Sequence, residues 1–312
     1  MGFVVTSLTD YTEKATELLR AGVLFNDDMA NYSVQPGIKY QEYLSITDFA
    51  PYAQAGDCGL ATSGDTTFTE KTITVEPIAW RQRFCTTDLR KKALPMAAGT
   101  LNGQFAPSME EHLTTGIIEK IKEATEQDLW LGTGTGLIGD DGGWFANLSA
   151  CTGAISLDTS GFTGSYAGFA PSLTNIDDIV NDFIDNITDP MWARGVLTLH
   201  MSKANFELYR RNRLAANYYY DQNDPELNAN MEMWALGYAG SVKIKAEAGL
   251  NGSNYMLLTW DKNLYIGLDE MSEVSSAKWV YDEITDYVWF KASYKLGTEI
   301  AFCGECVHNM YA

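Results

Sequence analysis

Basic residues are scarce in this sequence: 22 Lys and Arg stand against 41 Asp and Glu over 312 residues, a formal net charge of −19. General affinity for nucleic-acid phosphates or anionic membranes needs positive charge to displace counterions, which excludes both as the main role. Long apolar runs are missing too. Nothing approaches the roughly 18–20 apolar residues that span a bilayer as a helix. The opening MGFVVTSLTD has no basic stretch leading into an apolar core, so no signal peptide is expected; Gly2 and Thr6 fit only the loose myristoylation pattern. Eight Pro and five Cys are too few for a collagen-like chain or a disulfide scaffold. The cysteines (Cys58, Cys85, Cys151, Cys303 and Cys306) are odd in number and scattered, which predicts free thiols in a reducing compartment. With three His and no G-x-S-x-G elbow, nucleophilic catalysis has little support. What is present is ordinary globular material: 46% hydrophobic and 20% charged residues, ample for a buried core.

Along the chain, an amphipathic stretch from about Tyr11 to Ala21 predicts a short helix that needs a partner surface. Phe25 to Gly64 is irregular and has the character of an extended arm. In SGDTTFTEKTITVEPIAWRQRF (Ser63–Phe84), Ile73 and Val75 alternate with Thr72, Thr74 and Glu76. That period of two predicts a long strand pair projecting as a hairpin, and an isolated hairpin is marginal in water. The strongest helix is expected from Met109 to Leu131, opened by a Ser108/Glu111 capping box. Leu113, Ile117, Ile121 and Ala124 form its apolar face, and the glycines of GTGTG (Gly132, Gly134, Gly136) stop it. Further expected elements are a helix at about Asn175–Asn186 with an outer row of Asp177, Asp178, Asp182 and Asp185, a buried strand at Gly195–His200, and a helix from Ser202 to about Arg211. Residues 214–237 are expected to be a surface loop. Short strands follow at Ser241–Ala246, Tyr255–Thr259 and Leu264–Gly267, then two runs at Tyr287–Tyr294 and Glu299–Cys303.

Candidate chemistry is thin. A phosphate cradle needs its glycines before a helix, and GTGTG follows one. Cys303, Cys306 and His308 (CGECVH) are half of a zinc pattern whose other half is absent, so both cysteines are expected to be buried structural thiols. Asp140, Asp141, Asp221 and Asp224 lack EF-hand spacing. Two basic patches stand out from the acidic background: Arg81, Arg83, Arg90, Lys91 and Lys92 after the hairpin, and Arg210, Arg211 and Arg213 at the end of a helix. They either complement helix dipoles and local charge or meet acidic faces on neighbouring copies of the chain.

The order of parts resembles the major capsid protein of tailed double-stranded DNA bacteriophages. Ser63–Leu94 (SGDTTFTEKTITVEPIAWRQRFCTTDLRKKAL) and Val196–Arg211 (VLTLHMSKANFELYRR) carry most of the likeness. NLYIGLDE (Asn263–Glu270) and YVWFKASYKLGTEIAF (Tyr287–Phe302) complete it. The first stretch is similar to capsid proteins of crAss-like, Bacteroidetes-infecting phages. The resemblance implies an α+β capsid fold. Residues 1–50 would be an N-terminal arm, 51–84 an extended β-hairpin loop, 85–132 a peripheral domain with its spine helix, 133–260 an axial domain and 261–312 a return to the peripheral domain. It implies a structural role, not an enzyme: hexamers and pentamers of an icosahedral or prolate shell in the virion, assembled in the bacterial cytoplasm around packaged DNA without sequence-specific binding. No cofactor, metal or membrane is implied. A separate scaffolding protein, a portal at one vertex and decoration proteins would be partners, because the chain has no room for a fused scaffold of about a hundred residues. Lys71, Ile73, Val75, Ile78, Arg81, Arg83, Arg90, Lys91 and Lys92 would contact neighbouring subunits. Lys71 is an available amine, but no cross-linking Asn is identified for it. The alternatives are an encapsulin-like nanocompartment and a thiol- or metal-dependent enzyme using Cys303, Cys306 and His308.

Overall fold

A computed structural model of the chain describes residues 16, 19, 29–50, 65–85, 109–132, 142–157, 171–215, 231–235, 237–269, 276–282, 284–285 and 287–309. In chain order the first strands are β1 (Ser33–Pro36), β2 (Gln41–Ala50), β3 (Asp65–Thr74) and β4 (Glu76–Cys85), followed by the long helix α1 (Met109–Leu131). Next come α2 (Trp144–Ala150), β5 (Ile155–Ser156), α3 (Ile176–Asp185), α4 (Asp189–Trp192), β6 (Leu197–Ser202) and α5 (Lys203–Ala215). The remaining strands are β7 (Glu232–Trp234), β8 (Val242–Glu247), β9 (Met256–Thr259), β10 (Leu264–Leu268), β11 (Ser276–Asp282), β12 (Tyr287–Ile300) and β13 (Val307–Asn309).

Two sheets organise two cores. The first is built on β12, whose 14 residues alternate between half-buried and buried until both faces close over near Gly297. Val288, Phe290, Ala292, Tyr294 and Leu296 form its buried row. β11, β10 and β4 all pair with β12 antiparallel, and β1 adds to β10 in parallel. Helix α1 lies on this sheet. Its buried positions Thr114, Ile118, Ile121, Thr125 and Leu129 recur at helical spacing, one residue round from the expected face, so Leu113 and Ile117 are only half-buried. Polar groups in the seam are matched: the Trp279 indole N–H donates to Thr114 Oγ1 at 3.1 Å, and Thr125 Oγ1 meets the Tyr294 hydroxyl at 2.5 Å. Truncating Ile121 to Ala should therefore cost about 3 kcal/mol by cavity formation, and Ile117→Ala clearly less. Urea midpoints of the two variants check this; equal losses would mean that the face has been assigned wrongly.

The second sheet runs β5-β13-β9-β6-β8-β7. Its central strand β6 is buried at all six positions, as expected of a strand covered on both faces. α3 contributes Ile176, Ile179, Val180, Phe183 and Ile184, and α5 contributes Phe206 and Tyr209, to one core with this sheet. Each fully buried side chain of this size contributes roughly 1.5–3 kcal/mol by transfer from water.

Several expectations change. The two terminal runs at 287–303 are one strand, because pairing with β4 and then β10 carries β12 without a break. Residues 261–312 do not all return to the first sheet: β13 crosses to the second, between β5 and β9. Nor is 25–50 coreless. β1 belongs to the first sheet, and Met29, Tyr32, Ile38 and Leu44 are buried. The expected 214–237 loop contains strand β7, while 216–230 lies outside the described residues. So do most of the helix expected at 11–21 (Thr16 and Leu19 are helical), the Ser108 cap and two glycines of GTGTG.

Candidate assembly surface

The expected Ser63–Phe84 hairpin is divided between two sheets. β3 pairs antiparallel with β2, from Gln41 opposite Thr74 to Ala50 opposite Asp65, and these two strands form a sheet of their own. β4 leaves that ribbon and joins β12. The ribbon is fixed at its root. Val75 N–H donates to Tyr40 O at 2.8 Å, and Ile38 N–H donates to Leu268 O at 3.0 Å. Ile38, Leu44, Ile73 and Val75 make a small core of their own over Gly267 of β10, which stands opposite Gly297 of β12. This corrects the expectation that Ile73, Val75 and Ile78 await a neighbouring copy: their own chain buries them to 0%, 1% and 3% exposure. Tyr40 and Tyr43, beside the root, are the apolar-bodied side chains left outside, at 70% and 65%.

Lys71 is likewise engaged within its own chain. Its ammonium lies 3.2 Å from Glu299 Oε1 and 2.5 Å from the Ile300 carbonyl. Beside it the structure places a disulfide between Cys151 and Cys303, so the expectation of free thiols is corrected for this pair. Cys303, Cys306 and His308 do not converge. Cys303 turns to Cys151 and Lys71, while Cys306 is buried against Asn263 and Thr259. Burial pushes the Cys306 thiol up to about 12, beyond what Thr259 offsets. His308 is buried on β13. Among the described residues no group of three or more His, Cys, Asp or Glu side chains is placed to hold a metal ion.

Exposed basic and acidic side chains stand on separate elements, β4 and α3. Arg81 and Arg83 stand exposed on β4, which among the described residues pairs only with β12. Arg83 also lies 5.3 Å over the Tyr287 ring. Arg90, Lys91 and Lys92 lie outside the described residues. Of the second basic patch, Arg213 turns inward, 1% exposed and 5.1 Å over Tyr209. The acidic row sits on α3, with Asp178 and Asp185 exposed and Asp177 and Asp182 half-buried. Burial, and then Asp185 and Asp178, push the Asp182 carboxyl above its usual range. Burial also raises Asp177 against the pull of Arg213. An approaching cation would relieve this crowding.

Two ionic constellations were not expected. Arg194 donates twice to Glu305, at 2.8 and 2.6 Å, and lies over the Trp260 and Phe302 rings. Deeper, His200 of β6 has Nδ1 2.9 Å from Glu247 Oε1 and Nε2 3.4 Å from Asp261 Oδ1. Lys245 Nζ lies 3.0 Å from the same Glu247 oxygen, to which the Tyr32 hydroxyl also donates. This network joins the segment before β1 to the second sheet. Its only sequence signal is a histidine inside the apolar run LTLHMS.

No family model matches the sequence, and no curated protein does. Solved structures match almost end to end. The satellite phage P4 procapsid with its size determination protein aligns over 95% of this chain and 98% of that one, at 11% identity and a TM-score of 0.56. The capsid of the empty GTA particle aligns over 91% and 88%, at 13% identity and 0.55. The capsid of Myoviridae phage XM1 aligns over 94% and 91%, at 12% identity and 0.50. A five-stranded sheet under a long helix, a six-stranded sheet with its own helices, and a two-stranded ribbon rooted between glycines thus compose the tailed-phage major capsid fold.

Proposed function

We propose that this chain is the major subunit of a self-assembling phage capsid, a structural protein and not an enzyme. The observation that carries this is the two-way coverage: capsid structures account for nearly all of this chain, and it for nearly all of theirs. The first sheet with α1 takes the peripheral position and the second the axial one, around five- and six-fold axes. The β2–β3 ribbon drapes over a neighbouring subunit. Tyr40, Tyr43, Arg81 and Arg83, with Arg90, Lys91 and Lys92, supply contacts to it, and α3 offers the acidic counterpart. A separate scaffolding protein, a portal at one vertex and decoration proteins are the partners. The net negative charge keeps packaged DNA from adhering to the wall.

Trimming the ribbon tests this reading. Ile46 stands opposite Thr69, so replacing residues 47–68 with Asn-Gly closes a two-residue hairpin in register. The expected outcome is a soluble subunit with unchanged unfolding that no longer forms closed shells by electron microscopy and sedimentation. Normal shells from the trimmed chain would sink the proposal. Intact shells with a portal vertex support the phage reading, whereas portal-free shells around protein cargo would favour the encapsulin-like one.

A further inference from the structure

The cleft beneath the ribbon brings together an ammonium, a carboxylate and a disulfide. Its volume is about 1060 Å³, and its wall includes Lys71, Cys151, Glu299 and Cys303. The cysteines come from opposite sides of the chain: Cys151 ends α2, and Cys303 opens the turn after β12. Both are half-buried, not sealed. Lys71 reaches down from β3 to within 2.9 Å of Cys303 Sγ and 3.6 Å of Cys151 Sγ. Three residues on, Cys306 is fully buried and pushed up to about 12 by that burial, which leaves it inert.

An ammonium beside one sulfur of a reachable pair favours that sulfur as thiolate. It therefore favours Cys303 both as attacking and as leaving group in thiol–disulfide exchange. We propose that Cys151 and Cys303 form a redox-active pair, with Lys71 as its positioning residue, exchanging with low-molecular-weight thiols and disulfides. In the oxidising direction the Cys303 thiolate attacks one sulfur of an external disulfide RSSR, giving a mixed disulfide and RS⁻. Cys151 then gives up its proton to a released thiolate and attacks Cys303 Sγ, expelling the second RS⁻. Two electrons pass from the protein pair to RSSR, which leaves as RSH and RS⁻. Reduction is the reverse, with two external thiols. Glu299 competes for the same ammonium at 3.2 Å. It sets how much of that charge the thiolate receives. This chemistry does not depend on the shell reading.

The test equilibrates the full-length chain in glutathione buffers of graded thiol/disulfide ratio, traps free thiols with iodoacetamide and locates them by mass spectrometry. Wild type should interconvert at Cys151 and Cys303 while Cys306 stays unlabelled until unfolding. Lys71→Met should shift the balance toward the disulfide by roughly tenfold and slow alkylation of reduced Cys303 several-fold, since the thiolate loses its partner. Lys71→Arg should restore both. Glu299→Gln should move the balance the other way, toward the dithiol, and it still decides the matter if Lys71→Met does not fold. Identical ratios in wild type, Lys71→Met and Glu299→Gln, or a pair that stays dithiol in every buffer, would overturn the proposal.

Discussion

Replacing Gly297 with Ala should lose the folded subunit. A Cβ at this position would overlap the Thr74 carbonyl oxygen, with the Thr74 carbonyl carbon 2.8 Å and Val75 Cα 3.2 Å away. All three are backbone atoms of the crossing from β3 to β4, so no rotamer change relieves the clash. The crossing cannot retreat either. Val75 N–H is bonded to Tyr40 O, and the Ile73 and Val75 side chains press on Gly267 from above. The cost should exceed about 3 kcal/mol, the upper end for overpacking a close-packed interior. Gly116 is the control: it lies on α1 with nothing within 4 Å of an added Cβ. Gly116→Ala should stabilise by about 0.5–1 kcal/mol, the helix-propensity difference. Thermal melts and soluble yield check both. Should Gly297→Ala fold with a wild-type midpoint, the ribbon root is not packed as described.

The same root shows what sequence can and cannot convey. Local period was legible. The bounds of α1 and the buried side of α3 follow from spacing within one element, where each side chain's neighbours are its own turn. Pairing was not. Ile73 and Val75 alternate as a strand should, but nothing local says that their cover is Ile38, Leu44 and a glycine pair at 267 and 297. Strand β4 reads as the hairpin's return arm until its register with β12, more than 200 residues away, is known. The Cys151–Cys303 bond spans 152 residues, and an odd count of scattered cysteines carries no pairing information. Basic residues misled in a simpler way. Charge alone groups Arg213 with Arg210 and Arg211, but helical geometry turns Arg213 inward onto Tyr209.

His200 was the least legible of all, and its network should show the second large effect. Removing Glu247 with Ala leaves His200 and Lys245 buried without their shared acceptor, at a cost of about 3–5 kcal/mol for breaking a buried ionic arrangement. The pH dependence follows from the same contacts. Burial pushes Glu247 up, but the hydrogen bond and charge of His200, and then Lys245, prevail and hold it at about 2. Asp261 is also held at about 2: burial opposes, and His200, Thr198 and Lys243 prevail. Both carboxylates are thus depressed relative to the unfolded chain. The stability they contribute is present above pH about 4.5 and is lost as pH falls from there through about 2. His200 shifts the other way. Burial lowers it, but Asp261 and Glu247 together raise it above its ordinary 6.5. Its contribution is present below that value and lost as pH rises through the folded-state value. Wild-type urea midpoints should therefore fall on both flanks. In Glu247→Ala the acid flank should flatten, with only Asp261 left to protonate, and the alkaline loss should shrink because His200 has lost one of its two carboxylates. A variant that is merely cavity-damaged would drop uniformly and keep the wild-type profile; that result would mean that the network does not hold the segment before β1 to the second sheet.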